Sequence, residues 1–546
     1  MTTVAILGGG VGGLSAAHEL VERGFDVTAY ELRDIPGGKA RSMDVQNLLE
    51  PGRDPLPGEH GFRFFPGFYR HLPDTMSRIP GVGNGRWVAD YLVAARRIMV
   101  ARAGAREIVL PADFPISPDD WRVAIGALLG TYAEIPPLEL AWFVERLLVL
   151  LTTCTARRFA ELEHESWWSF SGAATRSGAY GRYLADGLTR TLVAARAGEM
   201  SARTGGYILL QLLLDMLDPR RPADRVLSGP TNEIWIDPWL TYLGARGVRY
   251  HRRATVTAIQ VSGQAVTGIT VDTPQGVQQV TADCYVAALP CERMAWLVSP
   301  ALLGADPSLA GIGALTRRWM NGILFYLDID LPLEHGHAIF IDSPWALSAI
   351  SQRQFWEEGG TDLGARGDGR VEGILSVDVS DWETPGPLFH RAAKYCTRAQ
   401  IEAEVWHQLK LGLNDTLAYE LRDENKLSCF LDDSIVFPNP PALTVNLEPL
   451  LINTVGSWDL RPEATTGIHN LFLAADYVRT NTDLATMEAA NEAARRAVNG
   501  ILDFTGSTEP PCRIWPLEEL AVFAPGRALD RVRFALGLPH IGRGAG

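Results

Sequence analysis

Residues 4–42 read "VAILGGGVGGLSAAHELVERGFDVTAYELRDIPGGKARS", and this stretch decides the fold. Its first four residues are an apolar run typical of a buried strand, and from Leu14 to Gly24 apolar residues recur at helical spacing. The next segment, "FDVTAYE", has the composition of a second strand and ends at Glu31. The stretch therefore predicts a unit of strand, helix and strand with a glycine-rich first turn.

The first turn has the spacing G-x-G-x-x-G at Gly8, Gly10 and Gly13, with Gly12 inside it. Gly8 permits a tight turn, Gly10 lets a pyrophosphate approach the backbone, and Gly13 lets helix and strand pack closely. The helix N-terminus offers unpaired N–H groups to phosphates. Glu31 can accept hydrogen bonds from ribose hydroxyls and would repel a 2′-phosphate, which disfavours NADP. The turn therefore predicts an adenine dinucleotide site.

A second glycine cluster follows, with Gly37, Gly38, Lys39 and Arg41, although an NAD site is complete after Glu31. The cluster is either a simple turn or a place where the backbone passes a longer cofactor while Arg41 adds charge near its pyrophosphate. The whole pattern, "GGGVGGL…E…GGKARS", resembles the FAD fingerprint of the amine oxidase and phytoene desaturase superfamily of flavoproteins. This resemblance implies FAD as the cofactor.

The resemblance also implies that the flavin domain is assembled from separated segments. "GVRYHRRATVTAIQVSGQAVTGITV" and "ADCYVAALP" have the alternation of strands, and the residue matching Val256 contacts the adenosine half in this family. "NLFLAADYVRTNTDLATMEAANEAARRAVNGIL" resembles the closing motif, where Asp476 would bind ribityl hydroxyls. Its helix would begin with Met487 and Glu488 and face the flavin with its N-terminus, which favours an anionic reduced ring.

A narrower resemblance lies in "GEHGFRFFPGFYRHLPDTMSRI" from Gly58. The run His60-Gly61-Phe62-Arg63 is similar to the segment that passes the flavin in plant-type phytoene desaturases and hydroxysqualene dehydroxylases. It implies cofactor contacts at Gly61 and Phe62 and makes His60 and Arg63 the candidate catalytic residues. A structural hydrogen bond beside the cofactor is an equally good interpretation of His60.

These patterns predict an α/β fold with a Rossmann-type FAD-binding domain, built from discontinuous segments, and an α+β substrate-binding cap. The predicted segments are 1–115, 229–320 and 456–504 for the FAD-binding domain, 116–228 for a helical cap, 321–455 for a substrate domain of sheet and helices, and 505–546 for a tail with a short helix.

The function predicted is that of an FAD-dependent oxidoreductase that takes a hydride from an apolar small molecule and passes electrons to oxygen or a quinone. A carotenoid or isoprenoid desaturase-like enzyme is the first hypothesis. A flavin amine or amino-acid oxidase is an alternative, but the strand that carries a lysine in amine oxidases has Met320 and Asn321 here. A related isomerase also stays open, as does a subunit that holds FAD without turnover. The second of these hypotheses is left open by three positions where the family often has glycine and this chain has alanine, namely Ala475, Ala489 and Ala494.

Composition limits the partners. The formal net charge of −14 and the isoelectric point near 5.3 argue against nucleic-acid binding. The cysteines and histidines have no metal-site spacing, and the N-terminus has no signal-peptide pattern, which predicts a cytoplasmic protein. In the tail, Leu529, Val532 and Leu536 share a helical face near several arginines. Such a helix could contact a membrane peripherally, or pack on the domain or on a second subunit of a homo-oligomer.

Overall fold

The computed structural model describes residues 1–83, 85–113, 134–187, 190, 195–415, 420–438 and 444–543, apart from the side chains of 357–359. Parts of the predicted helical cap, at 116–133, 188–189 and 191–194, lie outside the described residues. The described chain forms two large sheets, one parallel and one mostly antiparallel.

The parallel sheet is the core of the predicted FAD-binding domain. Its five strands lie in the spatial order Leu471–Leu473, Cys284–Ala287, Thr3–Leu7, Asp26–Tyr30 and Arg249–His251. All neighbouring pairs are parallel, and the two strands of the opening stretch lie at and beside the centre. Three of the five strands come from residues after 248, so the structure confirms the α/β fold with a Rossmann-like core assembled from discontinuous segments.

Two helices pack against each other beside this sheet: the opening helix Val11–Val21 and the closing helix Met487–Thr505. The opening helix also packs against the residue that follows the strand Leu471–Leu473, since a Cβ added at Gly12 would lie 2.1 Å from the carbonyl oxygen of Ala474. A buried hydrogen bond of 2.8 Å from Asn491 Nδ2 to Ser15 Oγ joins the two helices. Residues 476 positions apart in the chain thus form one compact layer.

A smaller antiparallel sheet follows the strand Arg249–His251, as its alternating residues predict. It consists of Thr255–Ser262, Ala265–Thr273 and Gly276–Val280. Glycines with positive φ lie at its two turns, Gly263 at +60° and Gly276 at +110°. The chain then returns to the parallel sheet.

The second large sheet, here named the cap sheet, has seven strands. In spatial order they are Lys426–Leu431, Asn321–Leu327, Gly373–Val379, Leu347–Ser351, Ala338–Phe340, Arg97–Arg102 and Ala105–Pro111. The last two strands correct the predicted boundary at residue 115, because they pair in the cap sheet and not in the flavin domain. Strand pattern gives a segment's conformation, but its partner sheet is set by long-range pairing.

The remaining elements surround these sheets. The other helices are His71–Met76, Pro137–Thr152, Thr155–Ala160, Trp167–Ser171, Gly178–Tyr180, Ala202–Met216, Asp237–Ala245, Cys291–Leu297, Pro300–Ala305, Ala310–Ala314, Arg353–Gly359, Arg398–Leu413, Ser457–Leu460 and Ala524–Ala535. Two-stranded pairs join Ser42–Val45 to Leu56–Glu59, Leu92–Ala94 to Arg225–Leu227, Arg317–Arg318 to Leu450–Leu451, and Ile435–Val436 to Val445–Asn446.

The tail helix Ala524–Ala535 docks through a polar residue. Asp530 is buried and its carboxylate accepts hydrogen bonds from Arg157 Nε at 2.9 Å and from the Cys154 backbone N–H at 2.8 Å. Leu529, Val532 and Leu536 stay at least half exposed. Among the described residues, no helix is both long and apolar enough to cross a bilayer.

Candidate functional site

A cavity of about 660 Å³ lies where the parallel sheet meets the cap sheet. The residues that follow four of the parallel strands, namely Gly8, Glu31, Ala288 and Ala474, line it. Ligands of open parallel sheets bind at these carboxyl ends. Most of the cavity surface is apolar, and its polar groups fall into two clusters.

The first cluster, the glycine wall, consists of residues 8–12, Glu31 and residues 37–39. Gly8 has φ of +103°, and a Cβ there would lie 2.6 Å from the carbonyl oxygen of Ala288. The opening helix begins after Gly10 with no side-chain cap from the described residues, and Val11 and Gly12 line the cavity. Its first N–H groups are therefore free for an anion.

Gly13 has the packing role predicted for it and does not line the cavity in the described structure. A Cβ at Gly13 would lie 2.0 Å from the carbonyl oxygen of Gly8. The helix thus sits directly on its own turn, which brings its N-terminus to the cavity.

The second glycine cluster packs on the first. Gly37 has φ of +104° and donates its N–H to the Gly9 carbonyl oxygen at 3.3 Å. Gly38 has φ of +58°, and a Cβ there would lie 2.9 Å from Gly10 Cα. Both residues line the cavity. The cluster is therefore both a turn and a continuation of the wall that the first cluster begins.

Glu31 ties this wall together. Its Oε2 accepts the Gly9 backbone N–H at 2.8 Å, and its Oε1 accepts that of Arg33 at 2.8 Å. Burial raises the pKa of Glu31, although both hydrogen bonds oppose the shift. Each carboxylate oxygen can accept a second hydrogen bond, so Glu31 can still receive a ribose hydroxyl.

Lys39 and Asp476 lie at the cavity with opposite charges. Lys39 Nζ lies 3.0 Å from Glu292 Oε1 and also donates to a backbone carbonyl. Burial alone would lower the pKa of Lys39, but the carboxylates of Glu292 and Asp476 raise it. Burial raises the pKa of Asp476. Val256 and Met487 also line the cavity, as predicted for cofactor contacts.

Arg41 differs from the prediction. Its guanidinium is fully buried between Glu448 Oε2 and Asp433 Oδ1, each at 2.7 Å, and it is not among the described lining residues. Both acids come from a segment about 400 positions later, which the local motif could not reveal. Arg33 and Lys39 are instead the cations at this wall.

Glu488 also turns away from the cavity. Its carboxylate accepts the backbone N–H groups of Arg70 and His71 at 2.7 Å and of Leu72 at 2.9 Å. It is fully buried, and the described cavity lining does not include it. Glu488 therefore caps the helix His71–Met76, and only its neighbour Met487 reaches the cavity.

The second cluster, the cap wall, consists of residues 60–63 and Asp378. Residues 60–63 cross the cap sheet at Gly322, whose N–H donates to the His60 carbonyl oxygen at 2.7 Å. A side chain at Gly322 would collide with this crossing, since its Cβ would lie 2.9 Å from that oxygen. His60, Gly61, Phe62 and Arg63 all line the cavity, so the structure brings the four predicted residues together.

His60 lies beside a buried acid. Its Nδ1 is 2.7 Å from Asp432 Oδ2, which is an ion-pair distance, although the geometry gives Nδ1 no hydrogen-bond partner among the described residues. Both interpretations of His60 stay predictions. Asp432 is held in turn by Asn321 Nδ2 and Ser434 Oγ, both at 2.6 Å. Because the residue also lines the cavity, Nε2 is the nitrogen left for a ligand. Asn321 thus supports Asp432 from behind, and Met320 lines the cavity.

Arg63 lies over a buried acid. Its Nη2 donates to the Arg41 carbonyl oxygen at 3.2 Å and to Glu59 Oε2 at 3.4 Å. Burial raises the pKa of Glu59 to about 7, against the effects of Arg63 and of the Thr231 hydrogen bonds. Burial lowers the pKa of Arg63. The two groups form a partly compensated pair next to the cavity.

Asp378 is a cavity residue that the motifs did not reveal. It lies on the strand Gly373–Val379, of which every residue is buried, and it lines the cavity beside Gly61. Its Oδ1 is buried without a hydrogen-bond partner among the described residues. The signal was present in the sequence "GILSVDV", where one acid interrupts an otherwise apolar and small-residue strand.

Comparisons with known proteins agree with this fold. Residues 6–79 match the family model of an NAD(P)-binding Rossmann-like domain. The chain is 27% identical over 301 residues to a probable zeta-carotene desaturase of Synechococcus elongatus, covering 52% of this chain and 58% of that protein. It is 25% identical over 310 residues to the zeta-carotene desaturase of Synechocystis, covering 52% and 57%. The chain therefore matches less than two thirds of either relative's length.

A solved structure extends the likeness to most of the chain. Putrescine oxidase bound to putrescine superposes with a TM-score of 0.61, covering 92% of this chain and 99% of that one. The identity is 12%, so this similarity concerns the fold. The parallel sheet and the cap sheet together thus follow an architecture that putrescine oxidase also has.

Proposed function

The family model, the desaturase relatives and the fold together support membership of the superfamily of FAD-dependent amine oxidases and carotenoid desaturases, and from this premise we propose that the chain is an FAD-dependent oxidoreductase. Its substrate would be an apolar small molecule that gives up a hydride. One observation carries the proposal: a single cavity joins the glycine wall to the cap wall through apolar side chains.

The residues of the glycine wall fit an adenine dinucleotide that carries a flavin. The uncapped opening helix presents N–H groups for a pyrophosphate, and Glu31 keeps acceptor capacity for a ribose. Asp476 and the start of the closing helix at Met487 lie further along the same cavity. When bound, FAD supplies a two-electron acceptor. The protein's own residues then orient the substrate and exclude water.

The apolar part of the cavity favours an isoprenoid or carotenoid substrate. Side chains that line it include Phe64, Phe68, Ala195, Ile208, Leu209 and Leu212. A wall of this kind binds its ligand by burying apolar surface and excludes water. It has few polar groups that could bind a small charged amine. The names of the two desaturase relatives support the same class. Oxygen or a quinone would remove the electrons afterwards.

The lysine expected of an amine oxidase has no counterpart at the described cap wall. Met320 lines the cavity on the segment where amine oxidases carry that lysine, and Asn321 Nδ2 donates a hydrogen bond to Asp432 Oδ2. We therefore favour dehydrogenation of carbon over oxidation of nitrogen.

The test is anaerobic bleaching of the flavin-loaded protein. The protein is purified, its visible spectrum is recorded, and it is mixed with zeta-carotene in detergent micelles, with a shorter isoprenoid, and with a panel of amines. We expect a yellow protein that bleaches with an isoprenoid or polyene and forms a product with one more double bond. Bleaching by an amine alone would contradict the substrate class. A colourless protein that takes up no added FAD would contradict the cofactor.

A further inference from the structure

We propose that Asp378 is the catalytic base of this site: its carboxylate takes the proton that the substrate loses from the carbon next to the one that loses the hydride. The inference rests on the proposed function, because it concerns the formation of a carbon–carbon double bond. It adds a residue and a role that neither the motifs nor the relatives supply.

The position of Asp378 is the first argument. In the cap sheet it pairs with Gly322 on one neighbouring strand and with Ser348 on the other. Residues 60–63 cross at Gly322, so the Asp378 carboxyl lies under the segment that forms the rest of the cap wall. A Cβ at Gly61 would lie 2.6 Å from Asp378 Oδ1. The backbone therefore leaves room at Gly61 for this carboxyl and for no added side-chain atom.

The missing partner is the second argument. A buried carboxyl oxygen without a hydrogen bond costs about 1–3 kcal/mol relative to a satisfied one. The acids of the glycine wall show the ordinary solution, since both Glu31 oxygens accept backbone N–H groups. Asp378 Oδ1 has no such partner in the described structure. The Phe62 backbone N–H also lowers the pKa of this carboxyl, so Asp378 is a partly satisfied acid in a residue that lines the cavity.

The charges around Asp378 are the third argument. Arg63 and His60 face it from the crossing segment, and His337 faces it from the residue before the strand Ala338–Phe340, two strands away in the cap sheet. Burial raises the pKa of Asp378 to about 7, against the lowering effect of these three groups. Glu59 and Asp432 partly compensate the charge of Arg63, whereas Arg41 opposes it. A base whose pKa is near neutrality can both take a proton and release it.

Dehydrogenation of the substrate breaks two C–H bonds on adjacent carbons. One substrate carbon loses hydrogen as a hydride, and its electron pair goes to the flavin as oxidant. The adjacent carbon loses hydrogen as a proton to the Asp378 carboxylate, and the electron pair of that C–H bond becomes the second bond between the two carbons. Asp378 is then neutral and returns its proton to solvent before the next turnover.

The experiment compares Asp378→Asn with Ser376→Ala, using the flavin-loaded protein and zeta-carotene in micelles. Ser376 lies on the same face of the same strand, its hydroxyl is buried without a partner, and it is not among the described lining residues. We measure the rate of anaerobic flavin reduction from pH 5.5 to 8.5. In the wild type, this rate should rise with pH through about 7, because the carboxylate is the active form.

In Asp378→Asn this rise should disappear, and the rate above pH 7 should fall at least about 100-fold. Ser376→Ala should keep both the rise and the rate. A second measurement does not depend on turnover: the carbonyl-stretching infrared band that titrates near pH 7 should be weaker by one carboxyl in Asp378→Asn than in the wild type, and the remaining band should include Glu59. Flavin content and melting temperature show whether each variant is folded.

The outcomes separate this inference from the proposed function. If the wild type is bleached by zeta-carotene and Asp378→Asn keeps the same pH rise, the inference is wrong and the proposed function stands. If Asp378→Asn does not fold, the wild type alone decides, because a rate of flavin reduction that does not rise with pH between 5.5 and 8.5 overturns the role. If no isoprenoid or polyene bleaches the wild type, the proposed function fails and the inference fails with it.

Discussion

The two walls of the cavity satisfy their polar groups in different ways. On the glycine wall, Glu31 accepts two backbone N–H groups and Lys39 has a carboxylate within 3.0 Å. On the cap wall, Asp378 keeps an oxygen without a partner in the described structure, and burial raises its pKa to about 7. A wall whose groups are paired holds a ligand in a fixed place, whereas a wall with an unpaired acid can exchange a proton.

The largest effect is expected on the glycine wall. Gly12→Val would place side-chain atoms against the backbone of residue 474, since even a Cβ would lie 2.1 Å from the Ala474 carbonyl oxygen. The backbone beside the parallel strand Leu471–Leu473 cannot move aside easily, so we expect a loss of about 3 kcal/mol in unfolding free energy. Bound flavin should be lost as well. Denaturant unfolding and the flavin absorbance of the purified protein measure both.

The matched control is Gly244→Ala. Gly244 lies in the helix Asp237–Ala245, and a Cβ there would meet nothing within 4 Å. This change should leave flavin content unchanged and stability equal or slightly higher. If Gly12→Val is as stable as this control and binds as much flavin, the opening helix does not pack against residue 474 as described.

The next effect is the pH dependence of a paired acid. Burial alone would raise the pKa of Glu448, but Arg41, His60 and Arg33 lower it to about 2. Because the folded-state pKa lies below the unfolded value of 4.5, Glu448 stabilises the fold above pH 4.5, and this contribution is lost as the pH falls towards 2. The contribution is about 3 kcal/mol. Glu448→Gln should therefore lose stability at pH 7 and show a shallower decline in acid.

The pH dependence of stability that comes from Asp378 is opposite in sign to that from Glu448, so Asp378 tests the difference between the two walls. Its folded-state pKa lies above the unfolded value of 3.8, so the stability that depends on its protonation is complete below pH 3.8 and is lost as the pH rises to about 7. Asp378→Asn should reduce this loss of stability towards pH 7, to which Glu59 also contributes, and leave the loss in acid that depends on Glu448 intact. Urea unfolding from pH 3 to 8 measures the free energy of unfolding of Glu448→Gln and Asp378→Asn. The same pH dependence in both variants would contradict the difference between the walls.

A smaller effect separates a structural acid from a cofactor ligand. Glu488→Gln removes the charge that accepts three backbone N–H groups at the start of the helix His71–Met76. We expect a loss of about 1–3 kcal/mol in unfolding free energy. The dissociation constant of FAD should stay within about threefold, because the described cavity lining does not include this side chain. A large rise in that constant without a loss of stability would restore Glu488 as a cofactor residue.

The same contrast explains what the sequence could predict. The opening unit, the return of the chain at residues 249–287 and the closing helix follow from local period and glycine spacing, and the structure has all of them in or beside the parallel sheet. The cap wall is assembled from residues 60–63 and Asp378, which no local pattern connects. The ion pairs of Arg41 depend on Asp433 and Glu448 in the same way. Long-range placement decides such contacts, so a motif can name the residue but not its partner.

The smallest effect concerns the unpaired groups of the cap sheet. Ser376 is fully buried, and its Oγ has no hydrogen-bond partner among the described residues. Removing an unsatisfied buried hydroxyl removes its desolvation penalty and leaves only a small void. Ser376→Ala should therefore change the unfolding free energy by less than about 1 kcal/mol, in the stabilising direction. Thermal unfolding at pH 6 measures the shift.

The sign of that shift matters more than its size. Ser376 and Asp378 lie two residues apart on one strand, and each has an unpaired oxygen, but only Asp378 lines the cavity. If removal of the hydroxyl stabilises the fold while Asp378→Asn reduces the loss of stability towards pH 7, the unpaired serine is a simple packing cost and the unpaired acid is a functional group. A marked destabilisation in Ser376→Ala would instead mean that the strand holds a buried water at this place, and the acid beside it would then share that water rather than await a substrate proton.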